Sequence, residues 1–201
     1  MHTRMILFST LMLFCAGSAM AQRPGPEFWR RASCEPVEPR TKLEAIDDRH
    51  NTVIIKGFTR ITTVDVPGIR IDAVEMREMG NVSRAKGVVV VLAAENTPRE
   101  GNIRPRDNRA FVDYEEIDPL LNAIDAAARI DETTTKFPGF EAKYRTLGDL
   151  EITVFRQTRT GNAVIMTTGV CEQVRATLTL DELAKVRAMI VEAKSRLDEN
   201  R

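Results

Sequence analysis

The feature that most constrains the fold is a succession of strand and helix signals that occurs twice in the chain. Residues 109–127 align with residues 175–193 at an offset of 66, so that Glu116 falls on Glu182. In each copy, segments of alternating apolar residues precede an apolar stripe with helical spacing. The sequence therefore predicts an α+β fold of two β-β-β-β-α units with antiparallel sheets, each followed by one helix.

The predicted strands are short, and the turns between them contain glycine, proline and polar residues. In the first unit strand signals cover residues 52–58, 59–66, 69–73, 87–92 and 109–114, one signal more than the four strands of the unit. In the second unit they cover residues 140–147, 150–154 and 163–174, and residues 175–180 lead into the helix. Earlier landmarks align at an offset of 81, so the first unit has 15 additional residues, most of which fit in the aperiodic segment 95–108. Duplication and chance similarity both account for this alignment.

The first 21 residues have the layout of a secretory signal peptide. An apolar run covers residues 5–15, and Ala19-Met20-Ala21 offers a cleavage site before Gln22. The run is shorter than the roughly 20 residues that a transmembrane helix needs; an uncleaved anchor is the alternative. We expect an exported protein, periplasmic or extracellular, with no membrane span after cleavage and with 28 basic against 29 acidic residues.

The mature chain divides into an N-terminal arm and two units, and we expect the two units to pack as one domain. Residues 22–51 form an N-terminal arm, rich in proline and charge, with at most one helical turn near residues 43–47. The first β-β-β-β-α unit covers residues 52–131 and the second covers residues 132–201.

The mature chain keeps two cysteines, Cys34 and Cys171, because Cys15 leaves with the signal peptide. Two cysteines in an oxidising compartment predict one disulfide, and two free thiols are the alternative. The disulfide would close a loop of about 138 residues, which in the chain-entropy treatment stabilises the fold by at most about 5 kcal/mol.

Two β-β-β-β-α units in one chain, over about residues 52–198, resemble the topology of the Whirly family and of the single-stranded-DNA-binding transcriptional coactivators with that fold. The resemblance implies single-stranded nucleic-acid binding. The lysine-rich strand signature of the family has no match here, and the charges on the predicted strands are of mixed sign, which disfavours nucleic acid as a partner. The layout also resembles secreted bacterial proteins of unknown function, which implies no activity.

An acidic cluster precedes the first predicted helix, and it has two interpretations. Asp113, Glu115, Glu116 and Asp118 could serve acid–base or metal chemistry, and a hydrolase site around Asp113, Tyr114 and Glu115 is one alternative. Helix capping is the favoured interpretation. Both Asp113…Glu116 and Thr179…Glu182 have the spacing of a capping box, and Asp118-Pro119 offers a second possible helix start.

Four arginines crowd the aperiodic segment 97–109: Arg99, Arg104, Arg106 and Arg109. Guanidinium groups bind carboxylates and phosphates, and prolines reduce the entropy that such a segment loses on binding. The segment is the candidate surface for binding a protein partner or a small anionic ligand. A solvated surface loop is the alternative.

No catalytic residue, metal-ligand spacing or cofactor motif is predicted. His50 is the only histidine of the mature chain and follows charged residues in the arm. The sequence contains no C-x-x-C, H-x-x-x-H or G-x-S-x-G pattern. The leading hypothesis is therefore a non-enzymatic binding or envelope-assembly module, with single-stranded nucleic-acid binding and an unusual hydrolase as alternatives.

Overall fold

The computed structural model describes residues 38–93, 107–131, 133–157, 161–170 and 173–199. The elements follow one another in this order: α1 (Lys42–Asp47), β1 (Ile54–Arg60), β2 (Ile69–Glu78), β3 (Arg84–Ala93), β4 (Asp107–Asp113), α2 (Tyr114–Ala128), β5 (Glu141–Arg145), β6 (Glu151–Gln157), β7 (Gly161–Thr168), β8 (Val174–Leu178) and α3 (Leu180–Glu199).

The strands form two four-stranded antiparallel sheets in which neighbours in sequence are neighbours in space. Sheet A has the order β1-β2-β3-β4 and is followed by α2, and sheet B has the order β5-β6-β7-β8 and is followed by α3. The predicted fold class is confirmed. The two helices begin at Tyr114 and Leu180, which keeps the offset of 66 between the aligned segments.

Two strand predictions are wrong in their bounds. Residues 59–66 are not a separate strand: β1 continues through Arg60, and the chain then turns so that Val66 pairs with Ile69. The long strand expected at 163–174 ends at Thr168, because the chain reverses at Gly169, whose φ is +86°, and β8 begins only at Val174. Residues other than glycine rarely adopt this backbone conformation, so the turn depends on Gly169.

One hydrophobic core is shared by both units. The strands alternate, so every second side chain points into this core. Sheet A contributes Ile71, Val88, Val90, Ala110 and Val112, sheet B contributes Ile152, Val154, Val164 and Met166, and the helices contribute Leu120, Ile124, Val186 and Ile190. Neither unit therefore buries its apolar face alone.

Helices α2 and α3 lie antiparallel to each other. Polar pairs join them in opposite chain order: Tyr114 with Asp198, Asp118 with Lys194 and Asp125 with Arg187. The last of these is bidentate, with Nε and Nη2 of Arg187 at 2.6 and 2.8 Å from the two carboxylate oxygens. These pairs fix the axial register of the two helices over their buried sides.

The outer face of sheet A is covered by α1, which lies within the segment expected to be an arm. Leu43 and Ile46 of α1 are buried in a second cluster with Val89 and Phe111, among others. Gly87 of β3 packs directly against the side chain of Leu43. A Cβ atom at position 87 would be 2.9 Å from Leu43 Cδ1 and 2.1 Å from the Val112 carbonyl oxygen, so only glycine permits this packing.

Replacing Gly87 by Ala should destabilise the protein, because the added methyl group forces α1 and β4 away from β3. We expect a loss of about 1–3 kcal/mol in the free energy of unfolding, the usual cost of overpacking a core. Urea denaturation measures it.

The control is Gly57→Ala in β1, where a Cβ atom meets nothing within 4 Å. That change should be neutral or should stabilise by about 0.5–1 kcal/mol, because alanine loses less conformational entropy than glycine in a strand. Equal denaturation midpoints for the two variants would contradict the packing argument.

Candidate functional site

The carboxylate of Asp113 does not cap α2, although Asp113 is the N-cap residue of that helix. It turns to α1 instead, where Oδ2 accepts from the backbone N–H of Lys42 at 2.7 Å and Oδ1 accepts from that of Leu43 at 3.1 Å. The predicted capping box Asp113…Glu116 is therefore wrong. The reason is a contact between residues distant in sequence, which satisfies the buried carboxylate at the start of another helix.

Of the other two predictions of a helix start, one is confirmed and one is wrong. Thr179…Glu182 is confirmed as a capping box: Thr179 N donates to Glu182 Oε2 at 2.8 Å, and Glu182 N donates to Thr179 Oγ1 at 3.1 Å. The alternative start at Asp118-Pro119 is wrong, since α2 begins at Tyr114 and contains Pro119. Glu116 Oε1 accepts from Leu147 N at 2.9 Å and so ties α2 to the turn between β5 and β6.

The groups of the hydrolase alternative take part in contacts between elements. Glu115 accepts from Lys42 Nζ at 2.5 Å, and this hydrogen bond lowers the pKa of Glu115 and raises that of Lys42. Tyr114 bonds to Asp198, and Lys86 Nζ lies 4.1 Å from the centre of its ring. Together with the bonds of Asp113, these contacts hold α1, α2, β3 and α3 together.

Of the candidate arginines, the structure describes Arg109. It lies in β4, its Nη2 is 2.7 Å from Asp47 Oδ2 of α1, and its guanidinium lies 5.1 Å from the centre of the Phe111 ring. Arg99, Arg104 and Arg106 lie outside the described residues, as do Cys34 and Cys171.

A polar cleft of about 260 Å³ lies beside Arg109, between α1, β4 and the turn at Gly148. Its charged lining residues are Glu38, Arg40, Glu44, Asp47, Asp48, Arg109 and Asp149. Both arginines are paired, Arg109 with Asp47 and Arg40 with Asp149. Carboxylates outnumber guanidinium groups, so the cleft itself suits a cationic group better than an anionic one.

A second cavity has the opposite character. This α2–β5 cavity measures about 230 Å³ and lies between the C-terminal half of α2 and strands β5 and β6. It is lined by Ala123, Ile124, Ala126, Ala127, Ile130, Ala142, Lys143, Tyr144 and Ile152. The alanines are too small to fill the space between the helix and the sheet, which leaves an apolar hollow.

Sequence reasoning missed this cavity. The available signal was the concentration of alanine in the second half of α2, opposite Ala142 of β5. The apolar stripe of the helix indicates which side faces the core, but which of its residues pack against a larger neighbour depends on tertiary structure.

Tyr144 is the polar group of the α2–β5 cavity. Burial raises the pKa of its phenol, and the nearby negative charge of Glu116 raises it further. The phenol is protonated at neutral pH, as an ordinary tyrosine is, and can donate a hydrogen bond. An apolar cavity with a polar group in its wall has the usual form of a small-molecule site.

Among the described residues, no group of three or more His, Cys, Asp and Glu side chains converges as a metal site would. Within the same residues, no helix is both long enough and apolar enough to cross a bilayer. Comparisons with protein-family models, curated proteins and solved structures find no match. The function is therefore argued from the geometry of the sites.

Proposed function

We propose that this chain is a non-enzymatic binding module whose ligand is a small, largely apolar molecule held in the α2–β5 cavity. The observation that carries the proposal is the composition of the cavity wall, in which seven of the nine lining residues are alanine or isoleucine. Removing apolar surface from water is favourable by about 25 cal/mol per Å², before the entropic costs of association are subtracted. An apolar hollow with one phenol at its wall supplies this term together with one directional hydrogen bond.

The size of the cavity limits the ligand. Pockets for drug-sized molecules usually measure about 300–1,000 Å³, so a cavity of about 230 Å³ favours a smaller molecule with one or two rings or a short chain. The Tyr144 hydroxyl can donate to a carbonyl or carboxylate oxygen of such a ligand. Lys143 at the rim is paired with Glu141 and Glu151, at 3.3 and 3.4 Å, so it adds little free positive charge.

Single-stranded nucleic acid is less well supported as a ligand. The outer face of sheet A carries Lys56, an exposed Phe58 and Arg60 along β1. However, Arg60 and Arg70 both pair with the buried carboxylate of Asp72, at 3.4 and 3.2 Å. This neutralisation reduces the electrostatic attraction on which phosphate binding depends, so we do not propose that activity.

The proposal includes export and a contact surface on residues 97–109. Most of them lie in residues 94–106, which join β3, ending at Ala93, to β4, beginning at Asp107. Since β3 and β4 are antiparallel neighbours, this connection starts and finishes at the same end of the two strands. The contacts of Arg109 with Asp47 and Phe111 anchor the β4 side of this connection. A segment with four arginines suits a carboxylate-rich surface on a protein partner.

Indole, a small aromatic probe, should bind the mature chain and raise its melting temperature in a concentration-dependent manner, since it binds the folded state. Ala127→Leu places a larger side chain in the cavity wall and should weaken binding about tenfold, because overpacking costs about 1–3 kcal/mol. Titration calorimetry measures both. Ala128→Leu, the same change at the exposed neighbouring position, should leave the affinity unchanged.

The titration of Tyr144 gives a second measurement of indole binding in the α2–β5 cavity. The chain has two tyrosines, so Tyr114→Phe leaves Tyr144 as the only phenol that absorbance can follow. Bound indole should move its titration to higher pH, because further burial adds to the effect that already raises its pKa. No saturable heat together with an unchanged titration would refute the ligand proposal.

Mass spectrometry tests export and the crosslink on protein secreted by the host cell. The expected mass is that of residues 22–201 less two hydrogens, from one disulfide between Cys34 and Cys171. Reduction should add two hydrogens and lower the midpoint of urea denaturation. An unprocessed N-terminus would overturn the export proposal, and two alkylatable thiols before reduction would overturn the disulfide.

The arginine segment is tested with Arg99, Arg104 and Arg106 changed together to Ala. Partners cross-linked to the wild-type protein in its own cells should be lost from this variant, while indole binding is retained because the cavity is untouched. Arg77→Ala with Arg129→Ala and Arg175→Ala, which lie outside the segment, controls for the loss of three charges. An unchanged set of partners would refute this role.

A further inference from the structure

Among the described residues, strand β1 forms an open edge of sheet A. It pairs with β2 on one side, and five of its seven residues are exposed. Phe58 is 63% exposed, and Val53, just before the strand, is 59% exposed. An edge strand with exposed apolar residues is a template for pairing with another strand.

The other edges of the two sheets are shorter or already paired. The edge of β4 is met by Gly148, which forms a bridge with Phe111. Strands β5 and β8 each have five residues, and the outward positions of β5 are Glu141, Lys143 and Arg145, a charged set of the kind that protects an edge.

The hydrogen bonds to β2 show which backbone groups of β1 point outward. Met79 N donates to Val53 O, and Ile61 N donates to Ile71 O, both at 2.9 Å. Because bonded and non-bonded pairs alternate along an antiparallel ladder, the odd-numbered residues of β1 direct their N–H and C=O groups to β2. Ile54, Lys56, Phe58 and Arg60 direct theirs to the open edge.

We propose that β1 pairs antiparallel with β1 of a second copy of this chain, about a twofold axis at Gly57. Two sheets A then become one continuous eight-stranded sheet. All seven residues of β1 are paired, and the bonded pairs fall on the even-numbered residues, whose N–H and C=O groups are available. An isologous contact of this kind closes as a dimer.

The length and the charges of β1 together favour this register, because only an axis at Gly57 pairs all seven residues of the strand. With Gly57 opposite Gly57, Lys56 lies opposite Phe58 of the second copy and Ile54 lies opposite Arg60, so each cation faces an apolar side chain. An axis at Lys56 would place two lysines opposite each other, and an axis at Phe58 would place Lys56 opposite Arg60. Like charges directly opposite are destabilising.

On the inner face of sheet A, no described side chain crowds the proposed axis. A groove of about 360 Å³ follows the inner side of β1, between Gly57 and the end of α3 at Arg196 and Leu197. A Cβ atom at Gly57 would meet nothing within 4 Å.

Sedimentation of the mature chain over a micromolar concentration series tests the proposal, and a dimer is expected. Phe58→Lys places a lysine opposite Lys56 of the second copy twice per dimer and should raise the dissociation constant at least about tenfold. Adding Lys56→Glu to that variant creates two opposite-charge pairs and should restore the dimer. Val82→Lys, which adds the same charge at a 97% exposed position outside the strands, is the control.

A cysteine at position 57 tests the axis directly. Gly57→Cys should give a disulfide-linked dimer under mild oxidation, because residues of a non-bonded antiparallel pair have Cα atoms about 4.5 Å apart, within the range for a disulfide. Peptide mapping identifies the linked pair, and Gly139→Cys, equally free of contacts, should not crosslink efficiently. A monomer at every concentration, a dimer that Phe58→Lys leaves intact, or no rescue by Lys56→Glu would overturn the proposal.

Discussion

The structure depends on the burial of two apolar sheet faces against the same pair of helices. A four-stranded sheet with one apolar face is not stable until that face is covered, and here α2 and α3 are in contact with strands of both sheets. The polar pairs along α2 and α3 then fix the axial register of the two helices, because the ion pairs Asp118–Lys194 and Asp125–Arg187 must form together. A change in helix register would therefore disturb both units at once.

The two units share an order of elements but differ on their outer faces. On sheet A, α1 covers an apolar cluster, and the Asp113 carboxylate holds the first turn of that helix. On sheet B, the outer face carries Glu151 between Arg145 and Lys143. Burial acts to raise the pKa of Glu151, and hydrogen bonds from these two cations outweigh it, so the pKa lies below its ordinary value. The outer face of sheet A is thus covered by apolar packing of a helix, whereas the outer face of sheet B carries paired charges.

The fold was largely predictable from the sequence, and the sites were not. Alternation and helical spacing are local signals, so the order of elements and the Thr179…Glu182 box follow from them. The role of Asp113 does not, because its partners in α1 lie about seventy positions away in sequence. The reversal at Gly169 was missed because the apolar alternation continues on both sides of it. The α2–β5 cavity exists because small side chains leave a space between the helix and the sheet. Sequence periodicity does not show where such a space forms.

The proposed ligand site and the proposed dimer contact lie on different parts of this shared core. The cavity is lined by α2, β5 and β6, whereas β1 is the edge of sheet A farthest from β4, the strand that leads into α2. The two sets of lining residues have no member in common. Pairing through β1 therefore leaves the cavity open, and a dimer would carry two cavities.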